Sequence, residues 1–581
     1  MRFWCRKKGV SHSVALSAAV ACMLSSLTAA HASPPSPVPS VSRLDTLAND
    51  VEVARSRKPA ADELPDNSPE ALRVRQAAED QSYRRLLSIG TPGSDADRIT
   101  HDMLKETLEA ERGLRICRRE YWNMNHISGW HIALPALAAQ QDVTTSEARK
   151  MALRRWAGLP GYIDREIANL RLGLGKGYSV PVPIVTRVIG QLDNSLALPV
   201  ERNPYFSPAA RSADDAFKRQ FHDLVAKRIN PALARYRDYL EAAYLPRARD
   251  TIAVSALPDG RACYSALLRR ETTLLKTPRQ VFDEGQELIR SNRTQIESLG
   301  RQLFGESDFL TITGKAEASP ENKFQSAKDS LSFIEAFVAR ARKRSEPLFL
   351  ALPEVELAVQ PFPDYQRGSG MNPYYKPAER AGGMAHYMVN PESWKSDTRG
   401  FTEVVAVHEG WPGHHVQVSV ARSLPYSNRF RQNAVYGAFA EGWARYIERL
   451  ADEQGIYESP YARIAWRIKP GIGMVVDPGI HWLDWSRADA AAFLKATGLF
   501  PSEQGIQDFI DRITVMPGQL TAYDAGGNEF VALRDEARRR LGSRFDLARF
   551  HEQILSVGFV PLSTLHRHIV AWIDETARDA R

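Results

Sequence analysis

From residue 69 to residue 346 the chain consists mostly of long stretches in which apolar residues recur every three or four positions. Such stretches run over 103–122, 146–171, 213–243, 278–303 and 327–344, punctuated by Pro, Gly or Asn. Helices of this kind must bury their apolar faces against one another, so the chain is expected to form a mainly α, multi-helix scaffold. No fixed period recurs, which argues against a helical solenoid. Between 352 and 391 the texture changes. Segments 355–360 and 385–390 read as short strands around a stretch rich in Gly, Pro and Tyr, and helical patterning resumes near residue 400.

With 581 residues, 43% hydrophobic and 25% charged, the chain has ample apolar material for a core. Collagen-like, disulfide-scaffold and wholly disordered classes are excluded. The formal charge of +7 first suggests a polyanionic partner. Four of those charges (Arg2, Arg6, Lys7 and Lys8) sit in the first eight residues with no acidic residue among them; without them the charge is +3. The basic start, the apolar run 14–30 and Ala30-His31-Ala32 fit a signal peptide over 1–32, cleaved before Ser33. The expected product is exported, periplasmic or secreted, with no stable membrane insertion. Lipid attachment at Cys22 is less favoured, because the residues before it fit poorly and the apolar run continues beyond it. Residues 33–68, rich in Pro, Ser and charge, read as a flexible linker with room for one helical turn and no part in the core, ahead of a body over 69–581. Cys117 and Cys263 remain in that body, either joined or free and buried.

The chemistry concentrates in the segment 402–417, TEVVAVHEGWPGHHVQ. An apolar helix arrives at His408-Glu409, a pattern similar to the zinc-protease helix in which two histidines one turn apart bind metal beside a catalytic Glu. The position four after His408 is Pro412, which cannot bind metal. On an unbroken helix His414 would lie about 240° round from His408, and His415 would face the same way but roughly 10 Å further along. Pro412 clashes with the carbonyl of His408, and Gly413 tolerates a break. A kinked or bulged turn would return His414 to the metal, with His415 as the fallback ligand. The third ligand is expected to be Glu441, whose Ala, Phe, Gly and Trp neighbours make an uncompensated carboxylate costly to bury. Glu448, flanked by Arg445 and Arg449, reads as a solvated helix-face charge.

The run His408-Glu409-Gly410-Trp411-Pro412-Gly413-His414-His415-Val416-Gln417, followed by Glu441-Gly442-Trp443-Ala444, resembles the bacterial "domain of unknown function 885" proteins, grouped with the gluzincin metallopeptidases. Further matches are Leu257-Pro258-Asp259-Gly260 with Tyr264, the segment 475–481 (VVDPGIH), Pro517-Gly518-Gln519 with Tyr523, and the segment 541–551. The resemblance implies a helical scaffold around a deep cleft, and the strands read at 355–360 and 385–390 add a small β-sheet beside the metal helix. It implies one Zn2+ per chain on His408, His414 and Glu441, and Glu409 as the catalytic carboxylate. Where the family usually carries a lysine after the tyrosine, this chain has Asp524, which bears on substrate preference.

An oxyanion beside the metal needs a donor. Tyr523 is the candidate, with Gln519 on the same face if that stretch is helical, and His481 is a second. The strand at 385–390 could accept an extended peptide along its edge, bringing His386 or Asn390 to the substrate. The function expected is hydrolysis of a peptide or small amide by metal-activated water. The alternatives are a silent peptide- or ligand-binding protein on the same scaffold and a non-peptide amidase. No basic stripe interleaved with aromatics and no Gly-rich phosphate loop is present, so neither nucleic acid nor nucleotide is expected as a partner.

Overall fold

The computed structural model describes residues 42–90, 92–367, 371–380, 382–500 and 502–578. The signal peptide expected over 1–32, with Cys22, lies outside the described residues. The architecture is mainly helical, with one three-stranded sheet. No described helix is long and apolar enough to cross a membrane.

The linker expected over 33–68 is corrected in its described part. Helix α1 (Arg43–Ser56) starts at Ser42, whose hydroxyl accepts the Asp45 N–H. It buries Leu44, Leu47, Ala48 and Val51, one stripe at helical spacing, in the large core of the carboxyl-terminal half. Residues 57–68 have no regular structure, yet the Arg155 guanidinium donates to the carbonyls of Glu63 and Ala60, and Asn67 bonds Glu166. The segment is strapped to the body. Its Pro, Ser and charge content hides a stripe of only four apolar residues.

A second core, almost wholly from residues 117–267, holds a disulfide between Cys117 and Cys263. The stretch expected as one helix over 146–171 is two, Ser146–Ala157 and Leu159–Gly175, divided at Gly158.

Strands β1 (Leu357–Pro361), β2 (Tyr374–Lys376) and β3 (Ala385–Val389) form a sheet in the order β1-β3-β2. β3 runs parallel to β1 and antiparallel to β2, so both of its edges are occupied. It cannot accept a peptide as an edge strand; among the described residues β2, whose Tyr375 N–H bonds Glu409, has no strand on its other edge.

Five helices carry the site: α2 (Arg399–Glu409), α3 (His414–Ser423), α4 (Gly437–Glu453), α5 (Glu503–Val515) and α6 (Thr521–Leu541). α4 and α6 meet backbone to backbone. A Cβ on Gly442 would lie 2.6 Å from the Cα of Gly526, and one on Gly526 would lie 2.1 Å from the Ala438 carbonyl. That approach seats Tyr523 and Asp524 against Arg445 of α4.

Candidate metal centre

α2 begins at Thr398, whose hydroxyl accepts the Phe401 N–H, and ends at Glu409. The residues 410–413 then break the helix, with a cis Trp411–Pro412 bond. Gly413 passes so close to α2 that a Cβ there would lie 2.0 Å from the His408 carbonyl oxygen. The Trp443 indole N–H, from α4, donates to the carbonyls of Pro412 and Gly413 at 3.2 Å each and pins the turn. His414 therefore opens a new helix beside His408. The two rings stand perpendicular, 4.9 Å apart.

Glu441 completes a group of three whose candidate ligand atoms all lie within 4.8 Å of one another, the one such group among the described residues. Its Oε2 is 3.4 Å from His408 Nε2 and 3.9 Å from His414 Nε2. Ligands at zinc bond lengths on a tetrahedron stand about 3.4 Å apart. All three side chains are buried, and Glu441 Oε2 has no hydrogen-bond donor among the described residues. A buried carboxylate oxygen facing two imidazole nitrogens fits a divalent cation; without one it would be a costly vacancy in the hydrogen bonding.

The far sides of both rings are held. His408 Nδ1 bonds Glu448 at 2.7 Å, Glu448 pairs with Arg445 at 2.8 Å, and Arg445 pairs with Asp524 at 3.3 Å. Asp524 accepts the Gly471 N–H at 2.8 Å. His414 Nδ1 faces Gln417 Oε1 at 3.3 Å, and the Gln417 amide donates to the Phe439 carbonyl. Such partners fix each ring with Nδ1 protonated and Nε2 free to bind metal.

Among the described residues, Arg445 is the only Lys or Arg within ion-pair distance of Glu409, Glu441, Glu448 or Asp524. The titration behaviour follows. Burial opposes charge on His408, but the carboxylates of Glu441 and Glu448, one facing each ring nitrogen, outweigh it and raise its pKa to about 10. A proton on that ring occupies the place a cation would take. Burial lowers His414 to about 4, and the neighbouring His408 adds to the effect. Burial works against ionised Glu441 too, yet the two rings hold it below the usual carboxylate range. Glu409 is pushed up to about 7 by burial, opposed by His408; it accepts the Tyr375 N–H of β2 at 2.9 Å.

Other expectations change. Glu448 is not a solvated charge: it is 2% exposed and bonded to His408. Its spacing of seven from Glu441, two turns on one helix face, was the available signal. His415 lies outside the converging group. Its Nε2 donates to the Val355 carbonyl at 2.9 Å and its ring packs on Trp411, so it ties the turn to the approach of β1. His481 is no oxyanion donor, since Nδ1 accepts the Val254 N–H and Nε2 donates to the Ile513 carbonyl, both at 3.1 Å. Gln519 precedes α6, so it does not share a helix face with Tyr523; its side chain accepts from Arg512 at 2.8 Å. Asn390 donates to the Arg367 carbonyl and caps the turn after β3, and His386, half-buried on β3, has Lys376 and Glu379 as charged neighbours. Asp524, the departure from the family pattern, braces Arg445 and Gly471 inside the fold.

Sequence reasoning missed Arg512. It lies in the last turn of α5, 3% exposed, and interacts electrostatically with Tyr523 and Glu441.

A family model described as a bacterial protein of unknown function, DUF885, matches residues 50–569. The structure of a candidate lipoprotein from Colwellia psychrerythraea superimposes with a TM-score of 0.78 at 20% identity, covering 92% of this chain and 100% of that one. A second candidate lipoprotein of unknown function, from Shewanella oneidensis, gives 0.75 at 18% identity, with coverage of 92% and 100%. At such identities the likeness is one of fold. No curated protein matches the chain.

Proposed function

Because the chain belongs to the DUF885 family of bacterial proteins of unknown function, its activity must be read from its own side chains, and we propose that it is an exported zinc-dependent hydrolase of peptide or related amide bonds, of the gluzincin type. The observation that carries this reading is Glu441 Oε2, buried without a hydrogen-bond donor and faced by two imidazole nitrogens, with Glu409 next in sequence to His408.

A zinc ion held by His408, His414 and Glu441 supplies a Lewis acid that polarises a carbonyl and makes water more acidic. Glu409, anchored through Oε2 by the Tyr375 N–H, takes the proton of the attacking water and delivers it to the leaving amine. Such proton transfer is worth about 10²–10⁴ in rate. The depressed acidity of its buried carboxyl suits both roles. Tyr523 is the donor for the developing oxyanion; it and Glu441 both interact electrostatically with Arg512. An extended substrate adds along the open edge of β2, whose Tyr375 N–H already points to Glu409.

Export is supported by the Cys117–Cys263 disulfide, a bond of oxidising compartments. Both structural neighbours are described as candidate lipoproteins, which also supports Cys22 as a lipid attachment site over cleavage after Ala32.

A peptide-library digest read by mass spectrometry, with and without chelator, tests the reading. Cleavage that chelator abolishes and zinc restores is expected; cleavage indifferent to chelator, or none by zinc-loaded protein, would contradict it.

A further inference from the structure

The side chain of Arg512 is buried beside the metal centre and is only partly engaged. Its Nη2 donates to Gln519 Oε1 at 2.8 Å, and its Nε is buried with no hydrogen-bond partner among the described residues. No carboxylate among the described residues lies within ion-pair distance of it. Burial holds its pKa below the usual guanidinium value, opposed by Tyr523, which also hydrogen-bonds it, and by Glu441, the one carboxylate among its electrostatic partners. Glu441 is committed to the cation under the reading above, so it cannot also neutralise Arg512. Leaving a guanidinium buried and unpaired costs several kcal/mol, and a planar fork of N–H donors is matched best by a carboxylate.

We propose that Arg512 is the group that recognises the substrate, pairing with a substrate carboxylate close to the scissile bond, so that the enzyme's substrates are peptides or amides carrying such a carboxylate. The inference rests on the metallohydrolase reading for the word substrate. The binding it describes is measurable without turnover. Gln519 holds one side of the guanidinium and α5 fixes its base, which leaves the buried, unpartnered Nε as the donor for a ligand carboxylate. Two sources supply this chemistry: the free carboxylate of a C-terminal residue, and an acidic side chain beside the cleaved bond. A direct role of Arg512 on the oxyanion is distinguishable, because it would act equally on substrates with and without a carboxylate.

The test is calorimetric titration of three peptides into zinc-loaded Glu409→Gln protein, a background that stops hydrolysis. The peptides are N-acetyl-Phe-Ala, its C-terminal amide, and N-acetyl-Phe-Asp amide. At least one carboxylate-bearing peptide is expected to bind about 10-fold or more tighter than the neutral amide. Adding Arg512→Gln should erase that difference without changing zinc content, and Arg512→Lys should restore part of it. Preference for N-acetyl-Phe-Ala assigns the C-terminal carboxylate, and preference for the Asp peptide assigns the side chain. Equal binding of all three, binding of none, or a preference that survives Arg512→Gln overturns the proposal. If Arg512→Gln does not fold, Arg512→Lys decides: weaker binding of the acid alone supports it, and unchanged binding overturns it. A carboxylate preference that depends on Arg512, in a protein whose wild type cleaves nothing, would uphold the binding role and sink the hydrolase reading alone.

Discussion

His408 Nδ1 is hydrogen-bonded to Glu448 at 2.7 Å, while the opposite nitrogen of the same ring faces Glu441 at 3.4 Å. Two carboxylates seven residues apart on α4 therefore grip one imidazole from both sides, one to orient it and one placed to share the proposed metal. The orienting carboxylate is itself braced by Arg445 and, through it, Asp524.

Glu448→Ala should weaken zinc binding by about 10–100-fold, the usual cost of losing the partner that orients a metal-binding histidine. It should also lower stability by about 3–5 kcal/mol, because Arg445 is left with less countercharge in a buried setting. Competition with a chromogenic chelator and denaturant titration read the two effects separately. Unchanged zinc affinity would remove Glu448 from its positioning role.

His414→Ala and His415→Ala should part company although the residues are adjacent. The first should lose zinc, since His414 Nε2 faces Glu441. The second should keep zinc but melt earlier, since His415 ties the turn to the Val355 carbonyl and packs on Trp411. Zinc analysis alongside thermal melts checks both.

The Cys117–Cys263 bridge closes a sequence separation of 146 residues. Replacing both cysteines with Ser should cost about 2–5 kcal/mol, seen as a lower denaturant midpoint that reductant does not shift further. Wild type should fall to a similar midpoint in reductant.

His481 supports stability with a defined pH signature. Burial lowers its pKa to about 3 from the ordinary 6.5. The folded ring stays neutral while the unfolded one takes a proton below pH 6.5, so its contribution is present above that value and lost as pH falls toward 3. Wild type should be more stable than His481→Gln at pH 8, with the gap narrowing by about 2 kcal/mol at pH 5. A gap that stays constant with pH would refute the neutral, doubly bonded ring.

The helical scaffold was legible because burial imposes a period on the sequence, as in the helix Pro278–Phe304, and the break after Glu409 was legible because Pro412 and Gly413 have few conformational options. α1 was hidden: its four-residue apolar stripe sits between Pro- and Ser-rich flanks. β2 was hidden because three residues are too few to show alternation, and its strand character comes from pairing with β3. Glu448 and Arg512 were misread or missed for a common reason. A charged residue on a helix looks solvent-facing in sequence until a partner from another element, here His408 for one and Gln519 for the other, reveals that its face is buried. His481 erred in the opposite direction: a histidine within a family motif proved to serve backbone groups from two distant segments.

The central claim is that His408, His414 and Glu441 bind one zinc. Elemental analysis of purified, zinc-equilibrated protein tests it most directly. Wild type should carry about one zinc per chain, and His408→Ala/Glu441→Ala, folded by circular dichroism, should carry essentially none. A folded double variant that keeps stoichiometric zinc, or a wild type that binds none, would contradict the account.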